Sequence, residues 1–239
     1  MTRDITAIFD IDKTIYEGYS LIDFVEFMHS EGDFPVKQYD KLKETFLQYK
    51  KNIITYDQAV DISINVFTKG LEGKGYQDIK IKAEKFWAYN FNKVYEFAKL
   101  SIDYLHGVNA KTIAISGSIN EIVYPLVHKL NFDTSYLTEI VKKNNVFSGE
   151  VIRNNGLSKS KEDIVKQIFS DINKDSMTIG FGDSIADFTF LDKVDIPVVV
   201  GKHDYELEKL VKIKGWTIIE DPRNDTKFSI ANLITDFLQ

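Results

Sequence analysis

Asp10 and Asp12 stand two residues apart where an apolar run, residues 4–9 (DITAIF), gives out. Charge at the end of a buried strand needs a partner. Three more loaded stretches follow along the chain. Ser116-Gly117-Ser118 closes the run at 111–116 (KTIAIS), Lys161 lies in SKED (160–163), and Asp183 ends MTIGFGD (177–183) with Asp187 four residues on. Two close but inequivalent carboxylates can divide a displacement at phosphorus between them. One attacks and forms an aspartyl phosphate, and the other protonates the leaving alkoxide and later deprotonates the attacking water. Several carboxylates in one cleft repel strongly unless a cation joins them. Oxygen-only donors, with no histidine or cysteine nearby, select a hard ion such as Mg²⁺. Ser116 and the amides of Gly117 and Ser118, read here as a helix N-terminus, would take phosphate oxygens, with Lys161 as an added cation.

These groups meet only if the elements carrying them share one edge. Short apolar runs at 4–9, 111–116, 177–182, 196–201 (IPVVVG) and 216–220 (WTIIE) read as buried strands. SINE (118–121), SKED (160–163) and SIAD (184–187) read as helix openings, and LTEIVKKNNVFSGEVI (137–152) as a hairpin with an Asn-rich turn. Strands alternating with helices give a Rossmann-like parallel α/β sheet, whose ligands bind at the carboxyl ends of the strands. From Ser20 to about Gly107 the alternation breaks. Leu21, Phe24, Val25 and Met28 recur at helical spacing, as do Ala59, Ile62 and Val66 behind the capping box TYDQ (55–58). The expected division is an α/β core of residues 1–17 and 108–239 with an inserted all-helical cap of residues 18–107.

Composition narrows the function further. At 239 residues the chain is long enough to bury a core without covalent staples. It has no cysteine, which excludes disulfides, zinc–thiolate centres and thiol nucleophiles and fits a reducing compartment. A net charge of −6 argues against a nucleic-acid partner. No stretch approaches a membrane span, and the first ten residues lack the apolar centre of a signal peptide, so a cytoplasmic location is expected. The four histidines, His29, His106, His128 and His203, are scattered and read as packing or surface residues.

DIDKT (10–14) resembles the first motif of the haloacid-dehalogenase-like phosphatases. IAIS ending at Ser116, then Lys161, then GDSIAD (182–187) resemble the second, third and fourth motifs, in order. The helical insert resembles the C1-type cap of subgroup IB, which contains phosphoserine phosphatase, and residues 205–219 resemble that subgroup's last helix and strand. The resemblance implies Asp10 as nucleophile and Asp12 as acid/base, with Asp12 also giving a backbone carbonyl to Mg²⁺. It further implies Asp183 as a metal ligand, Asp187 as support for Lys161 or the metal waters, and Thr14 as a brace for the first loop. Two departures stand out. Lys13 occupies a position that is often glycine, and Lys159 competes with Lys161 for the third motif; KEDIV (161–165) favours Lys161.

The function expected is Mg²⁺-dependent hydrolysis of a small organic phosphomonoester. A phospho-acceptor signalling domain or a non-catalytic binding module is the alternative from another class. Phosphoserine phosphatase is the alternative within the family. The resemblance implies a cap arginine for the substrate carboxylate and a glutamate shortly after the first motif for its ammonium group. Between Glu17 and Ala110 there is no arginine, and Tyr19 stands where the glutamate would, with Glu17 nearby. Lysine offers only a point charge where a carboxylate wants a planar fork. The aromatics Trp87, Tyr89, Phe91 and Tyr95 instead suggest an apolar or cationic leaving group, so phosphoserine is not expected to be preferred. The sequence leaves the oligomeric state open.

Overall fold

A computed structural model describes residues 4–201, 205–225 and 228–239. His203 lies outside the described residues. Seven strands form one sheet in the order β4-β3-β2-β1-β5-β6-β7. They are β1 (Ile5–Asp10), β2 (Lys111–Ile119), β3 (Thr134–Lys143), β4 (Val146–Arg153), β5 (Met177–Gly182), β6 (Ile196–Val200) and β7 (Thr217–Ile219). All neighbours pair in parallel except β4, which returns antiparallel to β3. The hairpin between those two turns on Asn144 and Asn145, both at positive φ (52° and 62°). That is the two-residue turn whose twist matches its strands.

Strand periodicity explains how the sheet is covered on both faces. Ala7 and Phe9 of β1 join one apolar cluster, and Ile8 joins the other. Val198 and Val200 of β6 divide from Val199 in the same way. The second cluster is closed by α7 (Ser158–Asp171), α8 (Phe188–Leu191) and α9 (Tyr205–Lys214) through Ile164, Val165, Ile168, Phe190, Leu207 and Val211. Across β1 and β5 the rings of Phe9 and Phe181 stack with centroids 4.4 Å apart.

Helices α1 (Ser20–Ser30), α2 (Val36–Lys50), α3 (Tyr56–Leu71), α4 (Tyr76–Asn90) and α5 (Glu96–Gly107) stand between β1 and β2. They share the first apolar cluster with α6 (Asn120–Lys129) and α10 (Ile230–Leu238). Leu21, Phe24, Val25 and Met28 of α1 are buried, as their spacing requires. Thr55 and Gln58 form the expected capping box at α3. The turn between α3 and α4 is stitched to the hairpin by backbone bonds, among them Gly73 N–H to Phe147 and Tyr76 N–H to Asn145. Helix α10 was not foreseen from the sequence; Ile230 and Ile234 bury it.

Two helix openings differ from the reading above. β2 runs on to Ile119, and α6 starts at Asn120 without a side-chain cap, so SINE is no capping box. The Ser118 amide donates to Ser116 Oγ at 3.1 Å instead of fronting a helix. SKED does not open α7 either. The helix begins at Ser158, and its cap comes from α3: Asp57 Oδ1 accepts from the Ser158 amide (3.0 Å) and hydroxyl (2.8 Å). Among the described residues no helix is long and apolar enough to cross a membrane.

Candidate active site

The chain leaves β1 toward β2 and β3 on one side and later fills β5, β6 and β7 on the other. The C-terminal end of β1 is therefore the point where strand order reverses, and open α/β sheets bind ligands there. Asp10 is the last residue of β1 and Asp183 directly follows β5. Lys161, in the first turn of α7, is buried and donates to Asp10 Oδ1 at 2.9 Å and to Asp187 Oδ1. Lys159 lies on the surface, paired with Glu162 and Asp163. Asp187 uses its other oxygen to accept from the Asp183 amide (3.1 Å), the Ser184 amide (3.0 Å) and the Ser184 hydroxyl (2.9 Å). This is the local capping pattern expected of SIAD. Only a glycine before it leaves room, since a Cβ on Gly182 would sit 2.5 Å from that of Asp187.

Asp12 lies beyond the strand and caps α1, its Oδ1 accepting from the Ser20 amide at 2.9 Å. Thr14 is fully buried, and its hydroxyl donates to Asp183 Oδ1 at 3.3 Å. Lys13 has φ +65°, a backbone state that favours glycine and explains why this position is restrictive. Its ammonium group donates to the Glu17 carbonyl (2.6 Å) and lies over the Tyr19 ring, 5.0 Å from the centroid. Ser116 is buried, and because its oxygen accepts from the Ser118 amide its O–H remains to donate. The Ser118 hydroxyl is buried and has no hydrogen-bond partner among the described residues. Gly117 touches a second glycine: a Cβ placed on it would lie 2.6 Å from the Cα of Gly156.

Burial dominates the electrostatics. It pushes the Asp10 carboxyl up to about 8, against the opposing pull of Lys161 and with a further push from Asp187. Burial likewise raises Asp12 to about 6, opposed by the Ser20 hydrogen bond. Asp183 is raised well above the carboxylate range by burial, then by Asp187 and Asp10. Burial alone would depress Lys161, but Asp10 and Asp187 outweigh it and hold the ammonium charged. Carboxylate oxygens of Asp10, Asp183 and Asp187 fall within 4.8 Å of one another. Both oxygens of Asp187 are already taken by Lys161 and by the Ser184 turn. Asp10 and Asp183 are the pair left to meet a cation, and with oxygen donors and excess negative charge they fit a hard divalent ion.

Above the acids lies a cavity of about 180 Å³, whose walls include Tyr19, Ile22, Phe46, Tyr49, Tyr56 and Val60. Asp10, Asp12, Ser116, Gly117, Ser118 and Asp183 also border it. The aromatics singled out in the sequence do not. Trp87 is buried with its indole N–H on the Ile122 carbonyl (2.6 Å), Tyr95 packs on Phe97, Phe91 sits against Lys129, and Tyr89 is exposed. Glu17 is paired with Arg223, outside the cavity walls. Sequence reasoning passed over Ser20, Phe46, Tyr49, Tyr56 and Ser184. Only Ser184 carried a signal, as the first residue of a capping box.

No curated protein matches the chain. Among solved structures, a protein with unknown function from Bordetella pertussis Tohama I superposes with a TM-score of 0.76 at 16% identity, covering 92% of this chain and 99% of that one. A substrate-bound phosphoserine phosphatase gives 0.66 at 15% identity, with 99% of both chains covered. A phosphoserine phosphohydrolase-like protein from Francisella tularensis gives 0.66 at 18% identity, covering 98% and 99%. These likenesses establish the shared fold. The family model for haloacid dehalogenase-like hydrolases matches residues 7–192, a span holding every acid and the lysine described above. The chain belongs to the haloacid dehalogenase-like hydrolases.

Proposed function

We propose that this hydrolase is a Mg²⁺-dependent phosphatase that cleaves a small organic phosphomonoester through an aspartyl phosphate on Asp10. The observation that carries the reading is the contact of Lys161 with Asp10 at the end of β1, with Asp12 and Ser116 bordering the same cavity. Asp10 attacks phosphorus as the ester P–O bond breaks. Asp12 gives its proton to the departing alkoxide, a role that suits a carboxyl pushed up to about 6. Once the alcohol has left, the same carboxylate takes a proton from water, which attacks phosphorus and frees Asp10. The Ser116 hydroxyl and Lys161 hold non-bridging phosphoryl oxygens, with the Ser118 hydroxyl as a further donor. Asp10, Asp183 and the Asp12 carbonyl would hold Mg²⁺. That ion, when bound, neutralises the acids and the phosphoryl oxygens. Asp187 positions Lys161, and Thr14 steadies Asp183.

The insert of residues 18–107 acts as the cap, and α1, α2 and α3 supply the cavity walls. Phosphoserine is not the preferred substrate: the insert has no arginine, and Glu17 is engaged by Arg223. The absence of cysteine fits action in the cytoplasm, and the net charge of −6 fits a small-molecule substrate better than a nucleic-acid partner. The test is phosphate release from a panel of phosphomonoesters with Mg²⁺, then with EDTA, then with Mg²⁺ restored. Turnover should vanish and return. Undiminished turnover after exhaustive chelation would remove the metal from the account, and no turnover of any ester would remove the phosphatase.

A further inference from the structure

The cavity walls carry information about the alcohol half of the substrate. Among the described residues bordering it, the charged ones are Asp10, Asp12 and Asp183, all on its floor. The rest are aromatic, aliphatic, glycine or serine. Tyr19 and Phe46 meet edge to face with centroids 5.2 Å apart, and Tyr49 and Tyr56 do so at 6.1 Å. Phe46 and Tyr49 are three residues apart on α2, so they present one face. Tyr19 precedes α1, and Tyr56 opens α3 behind its capping box. Three separate segments thus place rings around one space, with Ile22 and Val60 between them.

All four rings are only partly buried, so each still exposes apolar surface to the cavity. A ligand that covers them removes that surface from water. A leaving group bearing a carboxylate or a second phosphate would enter facing three acids, and neither Lys13 nor Lys50, whose ammonium groups stand over the Tyr19 and Phe46 rings, is among the residues bordering the cavity. An ammonium group would find the floor acids engaged: Asp10 by Lys161, Asp12 by the Ser20 amide and Asp183 by the Thr14 hydroxyl. Two of the rings that could attract it are already faced by ammonium groups, Tyr19 by Lys13 at 5.0 Å and Phe46 by Lys50 at 4.9 Å from the ring centroids. From these walls we infer that the substrate is the phosphate monoester of an uncharged, apolar alcohol, ring-bearing or branched, held by Tyr19, Phe46, Tyr49 and Tyr56. The inference deepens the phosphatase reading and rests on it.

The test compares kcat/KM of the Mg²⁺-loaded, full-length protein for benzyl and isobutyl phosphate against phosphoserine, phosphocholine and glycerol phosphate. All five release alkoxides, so the ranking reports recognition more than leaving-group reactivity. Benzyl phosphate should lead the charged and polyol esters by about 10-fold or more. Phe46→Ala and Tyr49→Ala should each lower the ratio of benzyl to methyl phosphate hydrolysis. Calorimetry with benzylphosphonate and with the phosphonate analogue of phosphoserine gives a readout without turnover, and the benzyl compound should bind more tightly. A lead for phosphoserine, phosphocholine or glycerol phosphate, with turnover intact, overturns this inference alone. Failure to hydrolyse any ester, para-nitrophenyl phosphate included, removes the phosphatase reading and this inference with it.

Discussion

Replacing Lys161 by methionine keeps the length of the side chain and removes its charge. In the native site that ammonium is the buried partner of both Asp10 and Asp187, and Asp187 has no solvent exposure at all. Breaking a buried ion pair by deleting one partner costs about 3–5 kcal/mol. For a chain of this size each kcal/mol is worth roughly 2–4 °C, so Lys161→Met should lower the melting temperature by ~6–20 °C. The sign with pH follows from the orphaned acids. Without Lys161 the Asp10 carboxyl, already pushed up to about 8, rises further, so above that pH the folded variant holds a proton that the folded native protein has released. The deficit therefore widens as pH rises through about 8 and narrows below it. The assay is calorimetric melting of metal-free Lys161→Met, Asp187→Asn and the double variant from about pH 9 down to about pH 6. The second substitution should restore part of the loss, with a coupling of about 0.5–3 kcal/mol. A Lys161→Met variant that melts with the native protein throughout that range, or a deficit that does not narrow from about pH 9 to about pH 6, would refute the reasoning.

Three further outcomes are expected. Metal-free Asp12→Asn should be more stable than the native protein above pH 6 by ~1–3 kcal/mol, because burial raises this half-buried carboxyl to about 6. The gain should fade as pH drops to about 4, seen by denaturant melts, while turnover falls on the order of 10²–10⁴-fold. Gly182→Ala should cost about 1–3 kcal/mol and most activity, since the added methyl group collides with Asp187; thermal melts and a phosphate-release assay would show both. Asp57→Ala removes the cap that α3 provides to α7, so it should destabilise by ~0.5–2 kcal/mol and raise KM by loosening the insert over the site, measured by melts and steady-state kinetics.

The legible part of this protein is the part written locally. Asp10, Asp12, Ser116, Asp183 and Asp187 each end or closely follow a short apolar run, Lys161 stands at a helix front, and the strand–helix alternation brings them to one edge. KEDIV favours Lys161 over Lys159, and the two, two residues apart on a helix front, point to different sides, Lys161 to Asp10 and Lys159 to Glu162 and Asp163. What stayed hidden depends on contacts between distant segments. The cap of α7 comes from Asp57, about a hundred residues away in sequence, so no local pattern could signal it. SINE has the composition of a capping box, yet the pairing of Ile119 with Thr138 draws Ser118 into the sheet. The aromatic run near Trp87 was the densest in the insert, but density marks core as readily as cavity. The rings that face the acids are spread over Tyr19, Phe46, Tyr49 and Tyr56. Gly117 and Gly156 meet back to back only because the β3–β4 hairpin returns one beside the other.

The central claim is covalent catalysis at Asp10, and chemical trapping reaches it most directly. The protein, turning over para-nitrophenyl phosphate with Mg²⁺, is quenched in acid and reduced with borohydride, which converts an aspartyl phosphate to homoserine. Peptide mass spectrometry should place homoserine at position 10, at no other aspartate, and nowhere in Asp10→Asn, which should also have lost turnover. An unmodified Asp10 in protein that is turning over, or homoserine at Asp12 or Asp183 instead, would contradict the account.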